Sequence, residues 1–432
     1  MLFMLRAATI LTIIVAGASA WADGADVAER PLQLAPLLES GLRDNPALAA
    51  LSSRVDAAEH RIIQAGALPD PMLGVALSNL PIGHFELDRT PMTGIQIMLR
   101  QMYPGRGKRA LKKELATDGV AISQTDYEEA EDEIVRQIKD AYYDLYYIDQ
   151  AMVINLENKA LLEYIASLAE IKTSVGLGPQ HDLIKAQLAV TKIVDKLLEL
   201  QRMRRSTGAR LNALLDRPPD APLGTPVWDG LHTYSLSVQA LREVAEEDRP
   251  ALVGMRAMVT MAERKIKMAK LNQHPNYTAG FDYRIRGQSA MDPVKGSDFW
   301  GFSVMMDVPS WNKQPHDAEI EEAKDNLTAA RRDYENMASR IAGAVEMTDA
   351  KLQRLAGQVE LYETGLIPQA ELALGSARSA YAATNAALKV DMLTLLSAQL
   401  ALQNLQIGHL RAMVDYEKAL AELEEMTGNL LY

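Results

Sequence analysis

The chain has no cysteine among its 432 residues. Disulfides, thiolate nucleophiles, Cys-type zinc sites and a lipid-bearing N-terminal Cys are thereby excluded. Phenylalanine is scarce, at 5 against 15 Tyr and 20 Met. With Ala and Leu abundant, this balance favours long helices over the dense core of an α/β enzyme. Positive charge is in deficit: 45 Lys plus Arg face 57 Asp plus Glu, a formal charge of −12. Phosphate contacts need a basic face, so nucleic acid is not an expected partner. Past the N-terminus no stretch reaches the ~18 uncharged apolar residues of a spanning helix. If the chain enters a membrane, it does so as strands.

Chemistry-bearing patterns are equally sparse. The seven histidines form neither H-E-x-x-H nor H-x-x-E-H, and no metal site is expected. Met255, Met258, Met261 and Met268 fall on neighbouring helical faces and read as packing. Tyr103-Pro-Gly-Arg-Gly-Lys108 lacks the spacing of a phosphate loop. No Ser-His-Asp set and no glycine-rich cofactor loop stands out, so the expectation is a non-enzyme without cofactor. The opening residues do carry a signal. Arg6 gives a positive start, Ala7 to Gly17 an apolar stretch, and Ala18-Ser19-Ala20 or Ala20-Trp21-Ala22 a cleavage site. Residues 1–22 read as an export signal, which makes the mature chain an exported one.

The remainder is written twice. Residues 44–65, DNPALAALSSRVDAAEHRIIQA, recur at 248–269 as DRPALVGMRAMVTMAERKIKMA. Asp44/Asp248, Pro46/Pro250, Ala47/Ala251, Leu48/Leu252, Ala58/Ala262, Glu59/Glu263, Ile62/Ile266 and Ala65/Ala269 are identical. Further on, Ala186-Gln-Leu-Ala189 returns as Ala398-Gln-Leu-Ala401. Two matched blocks in one order indicate duplication, at a period far longer than a solenoid repeat. The first repeat is placed at 31–216 and the second at 236–428. A proline-rich linker at 217–235 joins them.

Each repeat reads as helix, two strands and a helical hairpin. Helices are expected to begin near Pro46 and Pro250. In the second repeat Tyr277, Ala279, Phe281, Tyr283 and Ile285 alternate with Thr278, Gly280, Asp282 and Arg284. Trp300, Phe302, Val304 and Met306 then alternate with Gly301, Ser303 and Met305. The first repeat is plainer, with Leu73, Val75 and Leu77, then Ile95, Ile97 and Leu99. Such alternation suits a barrel strand with a lipid face and a polar lumen. A half-buried soluble strand has the same period. The exported context and the aromatics favour the barrel, since three of the five Phe lie in the second strand pair. The strands are set at about 72–80, 94–101, 277–286 and 298–307.

The hairpins, about 104–215 and 312–427, carry heptads. Ile134, Ile138, Ala141, Leu145, Ile148 and Met152 step 4-3-4-3-4, answered by Ala186, Val190, Ile193, Leu197 and Leu200. Ile320, Ala323, Leu327, Ala330, Tyr334, Met337, Ile341 and Ala344 continue the pattern. The fold class is mainly α with a β-barrel contribution. Four strands cannot close, and an open edge cannot sit in lipid. Several chains must therefore pool their strands: two give a filled barrel of eight, three a barrel of twelve with a lumen.

The chain at this point resembles the TolC-like outer-membrane efflux protein family. The motifs are Leu68-Pro-Asp-Pro71, Gln101-Met-Tyr-Pro-Gly-Arg-Gly-Lys-Arg109, Gln180-His-Asp-Leu-Ile-Lys-Ala-Gln187, Val308-Pro-Ser-Trp311, Leu366-Ile-Pro368, Tyr381 and Leu423-Glu-Glu-Met-Thr-Gly428. The Pro-Asp-Pro entry and the Gly-Lys-Arg exit look most like the heavy-metal branch. The resemblance implies a homotrimer with a twelve-stranded outer-membrane barrel and a periplasmic helical tunnel. It also implies a periplasmic adaptor and an inner-membrane efflux transporter as partners, and passive export, with heavy-metal cations as cargo. It makes Asp391 and Asp182 the acidic groups of a periplasmic gate. Tyr277, Phe281, Tyr283, Trp300 and Phe302 would face outer-membrane lipid. Arg106, Lys108 and Arg109, within the cluster Arg100 to Lys113, would meet headgroups at the barrel base or form a solvated patch. The competing reading is a soluble periplasmic coiled-coil scaffold or adaptor, which would bury those aromatics.

Overall fold

Proline and glycine divide the chain into its elements. The computed structural model describes residues 31–80, 82–83, 86–88, 90–176, 179–228, 230–290, 292–382 and 392–431. The export signal and Asp391 lie outside these described residues. In chain order come β1 (Pro31–Leu32), α1 (Leu34–Asp44), α2 (Pro46–Gly66), β2 (Met72–Ser78), β3 (Gly94–Tyr103), α3 (Lys108–Ser174) and α4 (Gln180–Leu214). The second repeat follows with β4 (Thr225–Pro226), α5 (Val238–Asp248), α6 (Pro250–Asn272), β5 (Tyr277–Arg286) and β6 (Phe299–Met306). It ends in α7 (Lys313–Leu361), a π turn (Tyr362–Leu366), α8 (Ile367–Ala382) and α9 (Met392–Thr427). At about 1.5 Å per residue the 67 residues of α3 run about 100 Å.

The first helix of each repeat starts earlier than the sequence suggested. Pro46 and Pro250 open second helices, and the 11-residue α1 and α5 precede them. A residue before proline is pushed out of helical geometry, and Asn45 (ψ 121°) and Arg249 (ψ 122°) make that break. Asn45 then caps α2 through Oδ1, which accepts from the Ala47 N–H at 2.8 Å. Strand β3 runs to Tyr103, past the expected 101, because its pairing with β5 continues to Tyr277.

Two compact units are present, and each draws on both sequence repeats. The first takes the described residues up to Ala50, Glu128–Arg249, and the chain from Ser339 onward. Its core is the seam of α3 against α9, where Ile138, Ala141, Leu145, Ile148, Ala419, Leu420 and Leu423 are buried. Lys139 and Glu424 are buried there as a 2.5 Å ion pair. The linker is tied down as a strap. Tyr142 donates to the Val227 carbonyl, Trp228 stacks edge-on against Tyr143 and Tyr146, and Tyr234 donates to Asp349 at 2.7 Å. Buried Glu417 accepts from the His232 N–H at 2.8 Å and from Tyr143 Oη at 3.1 Å.

Further along the same seam lies a layer of four buried amides. Gln403 donates to Asn155 at 2.8 Å, Gln399 to Asn158 at 2.9 Å, and Asn158 to Gln403. The layer separates two apolar clusters. One holds Ile148, Ala151, Leu200 and Leu410; the other holds Leu162, Ile165, Ile193, Leu395 and Leu396. Close by, the π turn sets the Tyr362 hydroxyl where a side chain at Gly408 would stand, 2.6 Å from an added Cβ.

The second unit comprises Leu51–Tyr127 and Pro250–Ala338. Its helices pack through small residues. Ala58, Ala262 and Ala269 are buried, and a Cβ at Gly254 would lie 2.5 Å from Thr125 Oγ1. Arg264 pairs with Asp118. Beside them is one sheet in the order β2-β3-β5-β6, antiparallel throughout.

The first unit holds an acidic group in an unfavourable place. Burial, reinforced by Glu129, Glu131 and Glu425, lifts the Asp132 carboxyl to about 6. The fold thus favours the protonated form. Its stabilising contribution is complete below an ordinary aspartate pKa of about 4 and is lost as pH rises through about 6. Asp132→Asn is expected to raise stability by roughly 1–2 kcal/mol at neutral pH and to leave it near the parent value in acid. Comparing the thermal midpoints of variant and parent across that range checks it.

Candidate functional site

Alternation along paired strands sends odd- and even-numbered residues to opposite faces. Here the register keeps parity across β2, β3 and β5 and reverses it in β6. Leu73 pairs with Leu99, Leu99 with Phe281, and Phe281 with Phe302. Val75, Ile97 and Tyr283 form the next row, where Trp300 stands beside Tyr283 as an even-numbered partner. One face therefore carries Leu73, Val75, Leu77, Ile95, Ile97, Leu99, Tyr277, Phe281, Tyr283, Ile285, Trp300, Phe302, Val304 and Met306. Most of it is exposed, with Trp300 at 66 % and Phe302 at 75 %. Phe281 and Phe302 touch at 5.3 Å between ring centres, as do Trp300 and Phe302. All five aromatics singled out in the sequence lie on this one exposed face.

The opposite face carries Gly74, Ala76, Ser78, Gly94, Gln96, Thr278, Gly280, Gly301 and Ser303, together with Met72, Met98, Met102, Met305 and Phe299. Every charged strand residue is here: Arg100, Asp282, Arg284 and Arg286. Arg284 donates to Gln96 at 3.3 Å. At the far end of the sheet Arg286 is buried in a 3.0 Å ion pair with Asp292 and donates to the Pro91 carbonyl. This ties the β5–β6 connection to the β2–β3 connection. Strands β2 and β6 are the sheet's edges, and among the described residues no other strand pairs with them.

At the opposite end of the strands the basic cluster divides. Lys108 is buried and turns inward, donating to the His274 carbonyl at 2.8 Å and to Asn276 Oδ1 at 3.0 Å. Burial holds its ammonium below the usual lysine range. Arg109 donates twice to the Gly66 carbonyl, at 2.7 and 3.1 Å. These two cations satisfy carbonyls just past or at the ends of α6 and α2, where the helix dipole favours positive charge. Arg106 is exposed, and Arg100 belongs to the charged sheet face. The four do not form one patch. Trp311, 90 % exposed just past β6, was quoted in the sequence only as part of a motif.

The helix tips hold the other expected site. Asp182, in the first turn of α4, is half-buried with His181 Nε2 at 3.1 Å. Its partner in the expectation, Asp391, lies outside the described residues. A contact that the sequence did not reveal stands close by. Lys172 Nζ sits 3.6 Å from the centre of the Tyr381 ring and 3.4 Å from the Tyr381 carbonyl. Burial, with the nearby Asp182 carboxylate, raises the Tyr381 phenol above its usual range. The ends of α3 and α8 are thus joined by a cation–π clasp beside an acid. Lys172→Met is expected to speed amide hydrogen exchange in the last turn of α8 by roughly two- to fivefold, the equivalent of losing about 0.5–1 kcal/mol. An unchanged rate would show that the clasp holds nothing.

Among the described residues no helix is long and apolar enough to cross a membrane, and no group of three or more His, Asp or Glu could hold a metal ion. No family model and no curated protein sequence matches the chain. Solved structures do. The outer membrane protein VceC of Vibrio cholerae aligns over 92% of this chain and 97% of its own, with TM-score 0.76 and 18% identity. CusC, described as undergoing transmembrane channel formation, aligns over 94% of both chains with TM-score 0.78 and 15% identity. The open state of the MtrE outer membrane channel of Neisseria gonorrhoeae covers 92% of this chain and 89% of its own, with TM-score 0.73 and 16% identity. The chain has the fold of these outer-membrane channels.

Proposed function

We propose that this chain is the outer-membrane component of a tripartite efflux pump, a passive duct built from three copies. The observation that carries the reading is the sheet. It exposes an aromatic and aliphatic face, gathers every strand charge on the other, and ends in two unpaired edges. Water does not favour so large an apolar face, and lipid does not tolerate the edges. Closure of three sheets edge to edge answers both with a barrel of twelve strands. The dimensions agree. Strands of 10 residues span about 33 Å, and a tilt of ~40° reduces this to the ~25 Å apolar height of an outer-membrane barrel.

In this reading Tyr277, Phe281, Tyr283, Trp300 and Phe302 face lipid. Arg106 is the member of the basic cluster placed to meet headgroups. The long helices form the periplasmic conduit, whose tips engage an adaptor and, through it, an inner-membrane transporter. Asp182 and Asp391, repeated by threefold symmetry, ring the entrance; carboxylates so arranged attract cations and repel one another when ionised. The fold shared with outer-membrane channels supports the arrangement. The soluble scaffold would have to leave the same aromatics in water.

Three measurements test this. The exported chain is expected to stay with outer membranes until detergent is added. Phe302→Arg should reduce the yield of heat-resistant trimer, since an arginine at mid-bilayer costs about 2–4 kcal/mol per copy. Release by osmotic shock alone would refute the duct. Asp391→Ala is expected to raise single-channel conductance of trimers in planar bilayers; unchanged conductance and ion preference would remove Asp391 from the gate.

A further inference from the structure

The strand charges carry a consequence for what the duct admits. Arg100, Asp282, Arg284 and Arg286 are the charged residues of the four strands, and register puts all of them on the face opposite the aromatics. Arg286 is neutralised within its own chain by Asp292. That leaves two arginines and one aspartate, a surplus of one positive charge per copy on a chain that is otherwise acidic. The three are not merged into a neutral cluster. Arg284 leans to Gln96, and Arg100 lies against the Met98 sulfur at 3.7 Å. Asp282 leans the other way, over β6, so that a Cβ at Gly301 would lie 3.0 Å from its carboxylate. Around them the face is mostly glycine, alanine and serine; its larger side chains, Phe299 beside Arg284 and Met72 and Met98 beside Arg100, are uncharged and leave the guanidinium charge unneutralised. The methionines on this face carry no charge.

We propose that Arg100 and Arg284 set the ion preference of the barrel, and that it favours small anionic solutes over cations. The inference rests on the duct reading, which turns this face to the lumen. Three copies then place six arginines against three aspartates on the inner wall. Fixed charge of this kind acts over about 8 Å at physiological ionic strength and about 3 Å in molar salt. It therefore governs solutes moving along the wall and fades as salt is raised. A free metal cation would travel against this field. Cargo that carries carboxylate or phosphate groups, or a metal held in an anionic complex, would travel with it.

The test is reversal potential under a KCl gradient, read from full-length trimers in planar bilayers. An Asp182→Asn, Asp391→Ala background keeps both candidate tip acids from masking the barrel. Chloride is expected to be preferred over potassium in dilute salt and the preference to vanish in molar salt. Arg100→Gln with Arg284→Gln should lower the chloride-to-potassium permeability ratio by roughly two- to threefold, and Asp282→Asn should raise it. Arg100→Lys with Arg284→Lys, which keeps the charge, should leave it unchanged. Asp282→Asn preserves side-chain shape and reports even if the double glutamine variant fails to form trimers. A ratio moved by none of the charge changes, or a cation preference that survives in the background without the tip acids, overturns the inference while leaving the duct intact. Absence of any channel would instead overturn the duct reading and this inference with it.

Discussion

A backbone amide that has left water must find a partner, and this requirement governs the second unit. Two of the four strands, β2 and β6, each leave one side unpaired. An isolated soluble domain would blunt such edges with charge, proline or a covering helix. These edges have none of those devices: β2 reads MLGVALS and β6 reads FWGFSVMM, without a charge or a proline between them. Their flanking faces are equally committed, one apolar and exposed, the other polar. In the proposed duct such a sheet is one sector of a closed wall.

The helices of the first unit set their own register, and they do so with polar groups where apolar ones would pack as well. A seam built only of Ala, Leu and Ile tolerates sliding by one heptad, since each step meets a similar surface. The amides of Asn155, Asn158, Gln399 and Gln403 do not tolerate it, because a slip strands their donors and acceptors in an apolar interior. Lys139 with Glu424 imposes the same condition further along. Both sets join α3 to α9, elements more than two hundred residues apart in sequence. They fix the relation between the two repeats where the heptads leave it open.

What the sequence made legible follows from this division. Period-2 alternation and heptads are local, so the strands and the hairpins could be read from neighbouring residues. The pairing β3–β5, which joins the repeats into one sheet, could not, because nothing local says which strands are adjacent. The short helices α1 and α5 were hidden by the prolines that follow them. Basic residues in a run looked like one patch. The fold separates them: the last residue-pairs of β3 put Arg100 on the charged face, while the helix that follows turns Lys108 and Arg109 onto carbonyls at the ends of α6 and α2. The clasp of Lys172 on Tyr381 spans the two hairpins and has no sequence signature, since an isolated lysine and an isolated tyrosine are ordinary surface residues.

The duplication has not kept its two copies equal, and the inequality has a physical direction. The first repeat contributes aliphatic strands with one charge, Arg100, and its hairpin turns after Gly176, which adopts the positive φ of 73° that a tight reversal needs. The second repeat carries the aromatic face, three of the four strand charges, and the π turn that reshapes its helix. In the proposed duct both copies supply strands to one wall, which asks the same alternation of each. Selectivity and movement make no such demand. One copy keeps the plainer strands, while the other carries most of the charge, the aromatics and the irregular helix.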